Sequence, residues 1–457
     1  MLKVLLLNPS NEKNEMVIKD QYCSFTSKAD YFWVPIDLLV LSGDLSNRFD
    51  LKVIDSTAQQ IDKEETIKQV REYDPDHVVI LSSLLTHDYD RELIRQFREF
   101  KPDLKTTFLG DVFYFSRDEM IKFDEVDSII YEYPCPELSE YIAGEDVSCN
   151  MIYKKDGKIV KAPFRSNDEI VYSTPRHDLF SLEKYSVPFM MEDICTSVLT
   201  NFGCKYTCNY CPASSVNFRQ RSLEQIFEEL TYLESVGIKN IWIRDFTFGL
   251  NKARTNEFLD KLKELGFSWF CLSRAETLDN SMISKMSEAG CYLVMIGVDS
   301  ISSDTMKKIS RIQKRDILTD RIAHSTKSDI QVLVHMILGF PGDKLIDMIR
   351  TVHFLATTKA NFLSINFFSP RAGSNYFQKD FIHRFNEMNL DSNFANFEGE
   401  DRSFSIVLVK YYALLIFYLN PVRVFRILYG MKSKRMFDLI FKTGVKQFFP
   451  KRKNKSL

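Results

Sequence analysis

Two blocks of short apolar runs, alternating with amphipathic helical stretches, constrain the fold of this chain more than any other feature. In the first block, residues 4–8, 51–55, 78–82 and 106–110 are near-continuous apolar segments, and residues 35–45, 63–73 and 88–100 between them carry helical spacing. Unbroken apolar strands separated by helices specify a parallel sheet covered on both faces. Ligands of such sheets meet the C-terminal strand ends, which here are Asn8, Asp55, Ser82-Ser83-Leu84 and Gly110-Asp111. The second block starts after Cys195 with a capping box, Ser222-Leu223-Glu224-Gln225, ahead of a helical face of Leu223, Ile226, Phe227, Leu230 and Leu233. Strands are expected at 241–244, 267–274, 292–298, 331–338 and 362–368, with helices between them. A β/α unit repeated in this way predicts a partial (β/α)6 barrel with its active loops at the C-terminal strand ends.

The expected fold class is therefore α/β: a doubly wound parallel sheet over 1–145, a linker over 146–190, a partial barrel over 191–380 and a helical C-terminal segment over 381–457. The linker holds a candidate hairpin at 151–162 around Asp156-Gly157, and Pro163, Pro175 and Pro188 punctuate the rest. A chain of 457 residues has room for two or three such units. A net charge of −2 gives no sign of nucleic-acid binding. Nine cysteines, an odd number spread over a large chain, do not form a secreted disulfide framework, so a reducing cytoplasm is expected. The apolar start, residues 1–7, is too short for a signal peptide, and the apolar run 411–419 is shorter than the roughly 20 residues a bilayer span needs. From Pro421 onward there are eleven Lys/Arg and a single acid, Asp438. Such a basic end is either solvated or in peripheral contact with an anionic membrane.

The chemistry-bearing segment is Cys204-Lys205-Tyr206-Thr207-Cys208-Asn209-Tyr210-Cys211. Three soft thiolates on one short loop suit an iron–sulfur cluster, and three ligands rather than four leave one iron open for chemistry. The competing reading is a structural zinc site, which normally takes four ligands; Cys195 is available, at a spacing that fits no usual zinc pattern. The remaining cysteines, Cys23, Cys135, Cys149, Cys271 and Cys291, read as small buried hydrophobes. His335, in an apolar strand, reads as a satisfied core histidine.

The C-x3-C-x2-C spacing with an aromatic before the last cysteine resembles the radical S-adenosylmethionine (SAM) enzymes. Further features match that family in order: Arg244-Asp245-Phe246-Thr247-Phe248, Gly297-Val298-Asp299-Ser300, Arg311 twelve residues after Asp299, Leu338-Gly339-Phe340-Pro341-Gly342-Asp343, and Pro370-Arg371-Ala372-Gly373-Ser374. The resemblance covers about residues 195–377. It implies a 4Fe–4S cluster on Cys204, Cys208 and Cys211, with SAM contacted by Tyr210, Asp245, Arg274, Asp299, Ser300 and Arg311. It also implies a small-molecule substrate and a reductant such as flavodoxin or ferredoxin.

The first block resembles the cobalamin-binding domain that precedes many such enzymes, through residues 3–9, Trp33-Val34-Pro35, Ser82-Ser83-Leu84-Leu85-Thr86 and Gly110. Phe417-Tyr418-Leu419-Asn420-Pro421 is similar to an element common in that class. Ser82, Leu84, Thr86 and Gly110 would then contact cobalamin. No histidine precedes His77, so none is expected to ligate cobalt from below, and Asp111 follows Gly110 where relatives carry a second glycine, a side chain that would crowd the nucleotide tail. The resemblance implies a cobalamin-dependent methyltransferase acting on an unactivated carbon of a small metabolite or lipid-like substrate. Two alternatives stand beside it: a radical SAM rearrangement, cyclisation or oxidation enzyme without cobalamin, and a non-catalytic iron–sulfur scaffold.

Overall fold

The computed structural model describes residues 1–13, 15–20, 22–27, 31–165, 169–376, 400–431 and 433–448. The strands in chain order are β1 (Lys3–Asn8), β2 (Val17–Asp20), β3 (Cys23–Thr26), β4 (Asp50–Asp55), β5 (His77–Leu81), β6 (Lys105–Leu109), β7 (Ser128–Ile130), β8 (Met151–Lys155) and β9 (Lys158–Lys161). They continue with β10 (Glu169–Ile170), β11 (Thr196–Val198), β12 (Asn201–Phe202), β13 (Arg219–Arg221), β14 (Asn240–Ile243), β15 (Ser268–Ser273), β16 (Cys291–Asp299), β17 (Gln331–Leu338) and β18 (Phe362–Phe367).

The first sheet has the order β4-β1-β5-β6-β7-β8-β9. Strands β4 to β7 are parallel, and β8 and β9 extend the sheet antiparallel. Side chains alternate between two cores, because successive residues of a strand face opposite ways: Leu5, Leu7, Val78 and Ile80 enter one, and Val4, Leu6, Val79 and Leu81 the other. The expected linker hairpin at 151–162 forms, but as part of this sheet: Ile152 pairs with Ile129 and is fully buried, so the apolar face of β8 is satisfied by the first domain.

The second sheet is β11-β14-β15-β16-β17-β18, six parallel strands whose outer edges pair with no further strand among the described residues. Its outward residues, among them Ile241, Trp269, Ile296 and Val334, pack under the helices. Its inward residues, Trp242, Phe270, Met295 and Leu333, form a separate cluster inside the curve. Three helices close the C-terminal side, Glu400–Tyr418, Pro421–Tyr429 and Lys434–Phe448. The remainder of the expected helical segment, 381–399 and 449–457, lies outside the described residues.

Two features were not foreseen. A small sheet of β10, β13 and β12 bridges the blocks. A hairpin of β2 and β3 leaves the end of β1 and folds over the C-terminal edge of the first sheet, where Lys19 donates to the carbonyls of Pro9 (3.2 Å) and Leu81 (3.0 Å).

Candidate functional site

The three cysteines sit on the loop between β12 and β13, at the C-terminal mouth of the six-stranded sheet. Gly203 turns the chain into this loop at φ +67°, and a Cβ there would lie 2.5 Å from the Asn217 carbonyl, so only glycine fits. Asp245, at the end of β14, holds the loop's base. One carboxylate oxygen accepts from the backbone N–H groups of Thr200 (2.8 Å) and Asn201 (3.1 Å). The other accepts from the Thr200 hydroxyl and the Asn201 amide. Four donors fill a carboxylate's acceptor sites. Asp245 therefore braces the approach to the cysteines, and the SAM ammonium expected on it finds no acceptor left there. Burial raises its pKa to about 6, against the pull of those donors.

The loop's far side is fastened to the end of the helix Ser303–Lys308, where Asn209 donates to the Lys308 carbonyl at 2.6 Å. The thiols lie within electrostatic reach of one another. Burial pushes Cys211 up to about 12, and the Cys208 and Cys204 thiols add to the rise. Ionising Cys211 beside the other two thus calls for a cation to offset the cost. Among the described residues no three His, Cys, Asp or Glu side chains converge on a single-ion site. A mononuclear zinc site packs its ligands about one ion, whereas a cubane takes one thiolate per iron and spreads them. Cys195 lies apart, buried on the inward face beside Trp242 and Tyr292. The donor set fits a 4Fe–4S cluster.

The expected SAM residues gather around this loop. Tyr210 donates to Asp299 at 2.6 Å, and Arg311 pairs with the same carboxylate oxygen at 2.8 Å and donates to the Gly297 carbonyl. Asp299 turns its carboxylate inward from a left-handed backbone, φ +61°. Burial works against the Arg311 charge, but Asp299 and nearby groups hold its pKa above the ordinary range. Arg274 stacks 3.8 Å over Tyr206 and donates to the Cys208 sulfur at 3.4 Å. Ser300 is buried and lines a separate cleft with Met306 and Arg311. Sequence reasoning missed Glu276. Neither of its buried carboxylate oxygens accepts a hydrogen bond, and its nearest cation is Arg274 at 3.5 Å. The signal was an acid two residues beyond Arg274 at the same strand end. An acceptor pair beside buried guanidinium N–H groups of Arg274 and Arg311 without partners suits a zwitterionic amino-acid group.

A cavity of about 610 Å³ opens from Tyr210 and Cys211 into the curve of the second sheet, walled by Trp242, Phe270, Met295, Leu333 and Phe367. Its charged and strongly polar groups include Asp20, Arg244, His335, Asn366 and Arg371. His335 thus faces the cavity rather than the core. The β2–β3 hairpin roofs this space with Asp20, Cys23 and Phe25. Arg244 ties the roof to the barrel: it pairs with Asp20 and stacks on Trp242 (3.9 Å) and Trp33 (4.9 Å).

Of the four residues expected to touch cobalamin, Ser82, Leu84 and Thr86 are buried, at exposures of 0–5%, Gly110 is half-buried, and all are engaged with the chain itself. Ser82 and Thr86 each donate to Asp90 at 2.6 Å, and Leu84 N–H donates to Asp111 at 2.7 Å. Gly110, φ +122°, is fixed by its own neighbour, since a Cβ would sit 1.9 Å from the Ser82 carbonyl. Asp111 also accepts from Ser24 of the hairpin at 2.8 Å. Hairpin and carboxylate together cover the strand-end crevice, so a cobalamin nucleotide tail bound there would have to displace the hairpin.

Residues 198–355 match the radical SAM superfamily. The chain carries a radical SAM domain. It is an enzyme with that domain, and its fold is shared with cobalamin-dependent radical SAM enzymes. An uncharacterized methyltransferase of Pyrococcus horikoshii is 26% identical over 362 residues, 74% of this chain and 77% of the relative. The bacteriochlorophyllide d C-12(1)-methyltransferase of Chlorobaculum tepidum is 23% identical, over 44% of this chain and 46% of its own length. Among solved structures, the radical SAM methyltransferase TsrM of Kitasatospora setae superposes with a TM-score of 0.62 at 17% identity, covering 80% of this chain and 73% of TsrM. The cobalamin-dependent radical enzyme OxsB superposes with a TM-score of 0.62 at 16% identity, covering 79% of this chain and 52% of OxsB. No single helix among the described residues is long and apolar enough to cross a membrane.

Proposed function

We propose that this radical SAM enzyme generates a carbon radical on an apolar small molecule held in the barrel cavity, and that methylation of that carbon is the outcome, the methyl group being supplied through cobalamin and replaced from a second SAM. The observation that carries the reading is the continuity of the cavity with Tyr210 and Cys211, which brings an apolar chamber to the edge of the cysteine loop. Methyl transfer is supported by the names of the relatives. Cys204, Cys208 and Cys211 would hold the cluster, and Glu276, Arg274 and Arg311 would hold the methionyl end of SAM. Bound there, the cluster would supply one-electron reduction of SAM, and with it a 5′-deoxyadenosyl radical able to take a hydrogen atom from the substrate. The chain's own part is to orient and to exclude water. Asp245 fixes the loop base, the Tyr210–Asp299–Arg311 chain fixes its far side, and the aromatic wall keeps solvent from the radical. A small one-electron donor of the flavodoxin or ferredoxin kind would supply the electron.

The closed crevice favours a second reading, in which cobalamin is not used and the radical is rearranged, cyclised or oxidised. One experiment separates the two. The protein is reconstituted anaerobically with iron and sulfide, with and without hydroxocobalamin, desalted, and given SAM and dithionite. The radical reading expects 5′-deoxyadenosine from wild type and none from Cys208→Ala. Cobalamin that survives desalting in stoichiometric amount supports the methyltransferase; a colourless corrin region supports the second reading. A wild-type cluster that yields no 5′-deoxyadenosine would return the chain to a scaffold role.

A further inference from the structure

Among the described residues, 22 large apolar side chains are exposed, and twelve of them lie between Phe404 and Val445. They are not scattered. Phe404, Leu408 and Leu415 follow one face of the helix Glu400–Tyr418. Val422, Phe425 and Tyr429 follow one face of Pro421–Tyr429, and Phe437, Phe441 and Val445 one face of Lys434–Phe448. The opposite faces are committed to the protein: Ala413, Leu414 and Phe417 enter the barrel's outer core, and Ile427 its inner cluster. Exposed apolar stripes of this extent mark an interaction surface.

The charge on the same segment has one sign. From Phe404 to Phe448 there are eight Lys/Arg and one acid, Asp438, and four more Lys/Arg follow before the C-terminus. Lys434 and Lys442 are exposed beside Phe437 and Phe441. Apolar stripes flanked by bases describe a surface that lies in the interface of an anionic bilayer. The first two helices meet at 73°. Arg423 locks that bend: it is 1% exposed and donates to the carbonyls of Ala360 (2.9 Å), Thr358 (2.8 Å) and Ala356 (2.9 Å). The pair is thus pinned against the barrel.

The barrel cavity opens at this surface. Val424 is 39% exposed and also lines the cavity, and Ile427, Ile440 and Thr443 continue the wall inward. We propose that the three C-terminal helices seat the enzyme on an anionic lipid bilayer, and that its substrate is a membrane-resident lipid whose apolar body enters the cavity between the second and third helices. This rests on the radical SAM reading of the same cavity for the chemistry, while the docking surface stands independently of it.

The test is flotation of the full-length, cluster-loaded protein with vesicles of phosphatidylcholine alone or with one-third phosphatidylglycerol. Binding to the anionic vesicles is expected, with weak binding to the neutral ones. Phe425→Ser and Phe441→Ser, both exposed and away from the cysteine loop, each lower partition roughly tenfold. Lys434→Gln with Lys442→Gln lowers it roughly 25-fold, about fivefold per charge. An unchanged cluster spectrum shows that the variants fold. Absent flotation, or flotation insensitive to these changes, overturns the proposal. So does concentration-dependent dimerisation without vesicles that the same variants abolish, which would assign the face to a second copy. Vesicle-dissolved isoprenoid or acyl lipid should raise 5′-deoxyadenosine formation over the uncoupled level. Flotation without any 5′-deoxyadenosine would sink the radical reading alone, and 5′-deoxyadenosine without flotation would sink the docking surface alone. Stimulation by a water-soluble metabolite, but not by lipid, would sink the substrate class.

Discussion

Replacing Lys19 by methionine should unlatch the hairpin that closes the first domain's crevice. Lys19 and Asp90 are 3.5 Å apart with side chains 1% and 0% exposed. Burial lowers the lysine's pKa against the pull of Asp90, and burial raises that of Asp90 against the pull of Lys19. At an effective dielectric of about 20, the charges attract by roughly 5 kcal/mol before desolvation is counted. Removing one partner of a buried pair costs about 3–5 kcal/mol, because the other charge is stranded. Here Asp90 would keep only the hydroxyls of Ser82 and Thr86. It can escape by taking a proton, which from an ordinary carboxylate value costs about 4 kcal/mol at pH 7 and about 1.5 kcal/mol at pH 5. The loss in Lys19→Met should therefore be about 3–4 kcal/mol at neutral pH and shrink as pH falls. The sign follows from linkage: a carboxyl whose folded pKa is raised favours the folded state at low pH, and that advantage is lost as pH rises through the folded value. Opening the hairpin rehydrates Asp90, so the effect appears as faster hydrogen exchange of the hairpin amides, by two to three powers of ten. Cys23, which burial pushes up to about 12, should become reactive to thiol reagents on the same timescale. Lys19→Met with Asp90→Asn should recover most of the protection. A single variant within about 1 kcal/mol of wild type, or equally labile at pH 5 and pH 8, would refute the latch.

Asp245→Asn keeps the shape of the cluster-loop brace but turns one acceptor into a donor facing donors, so cluster occupancy after reconstitution should fall and thermal stability should drop by roughly 2–4 kcal/mol at pH 7, read by iron content and calorimetry. Because burial holds Asp245 near pKa 6, the wild type should gain stability as pH falls from 7 toward 5, by about 1.3 kcal/mol from this group, and the Asn variant should lose that slope. Arg274→Gln removes a cationic donor from the Cys208 sulfur and should move the cluster potential more negative, on the order of tens of millivolts by redox titration, with the cluster still formed. Gly110→Ala drives a methyl group into the Ser82 carbonyl and should leave no soluble folded protein at the growth temperature of wild type.

The parts of this protein that repeat were legible from sequence. Strands in both blocks announce themselves because a buried parallel strand must be apolar throughout, and the cysteine loop because its ligand type and spacing are local. What escaped depends on contacts between distant segments. Asp245 looked like a ligand-facing acid at a strand end, but its oxygens are taken by Thr200 and Asn201, 45 and 44 residues earlier. Hairpin β2–β3 carries short, polar strands, Val17–Asp20 and Cys23–Thr26, whose buried lysine finds its counter-ion 71 residues away. Such pairs leave no periodic trace. His335 was misplaced for a related reason: an apolar strand has two apolar faces here, and sequence alone does not say which of them borders a cavity.

The hairpin also ties the first sheet to the barrel. Its outer side, through Lys19 and Ser24, occupies the first sheet's ligand edge. Its other side, through Asp20, Cys23 and Phe25, forms the cavity roof, fastened to the barrel by the Asp20–Arg244 pair. A ligand that entered the crevice would have to lift Lys19 from Asp90, and the same movement would strain the Asp20–Arg244 tie and open the roof to water. Crevice occupancy and an enclosed cavity are therefore opposed through ten residues of chain. If cobalamin binds at that edge, binding must be coupled to hairpin opening, and Lys19→Met should tighten it by part of the latch energy. If the crevice stays closed through turnover, Lys19→Met should instead loosen the cavity roof and raise abortive 5′-deoxyadenosine release. Equilibrium dialysis of hydroxocobalamin against wild type and Lys19→Met, run beside the 5′-deoxyadenosine assay, therefore moves one readout or the other; a variant that moves neither would show that the hairpin does not couple the two sites.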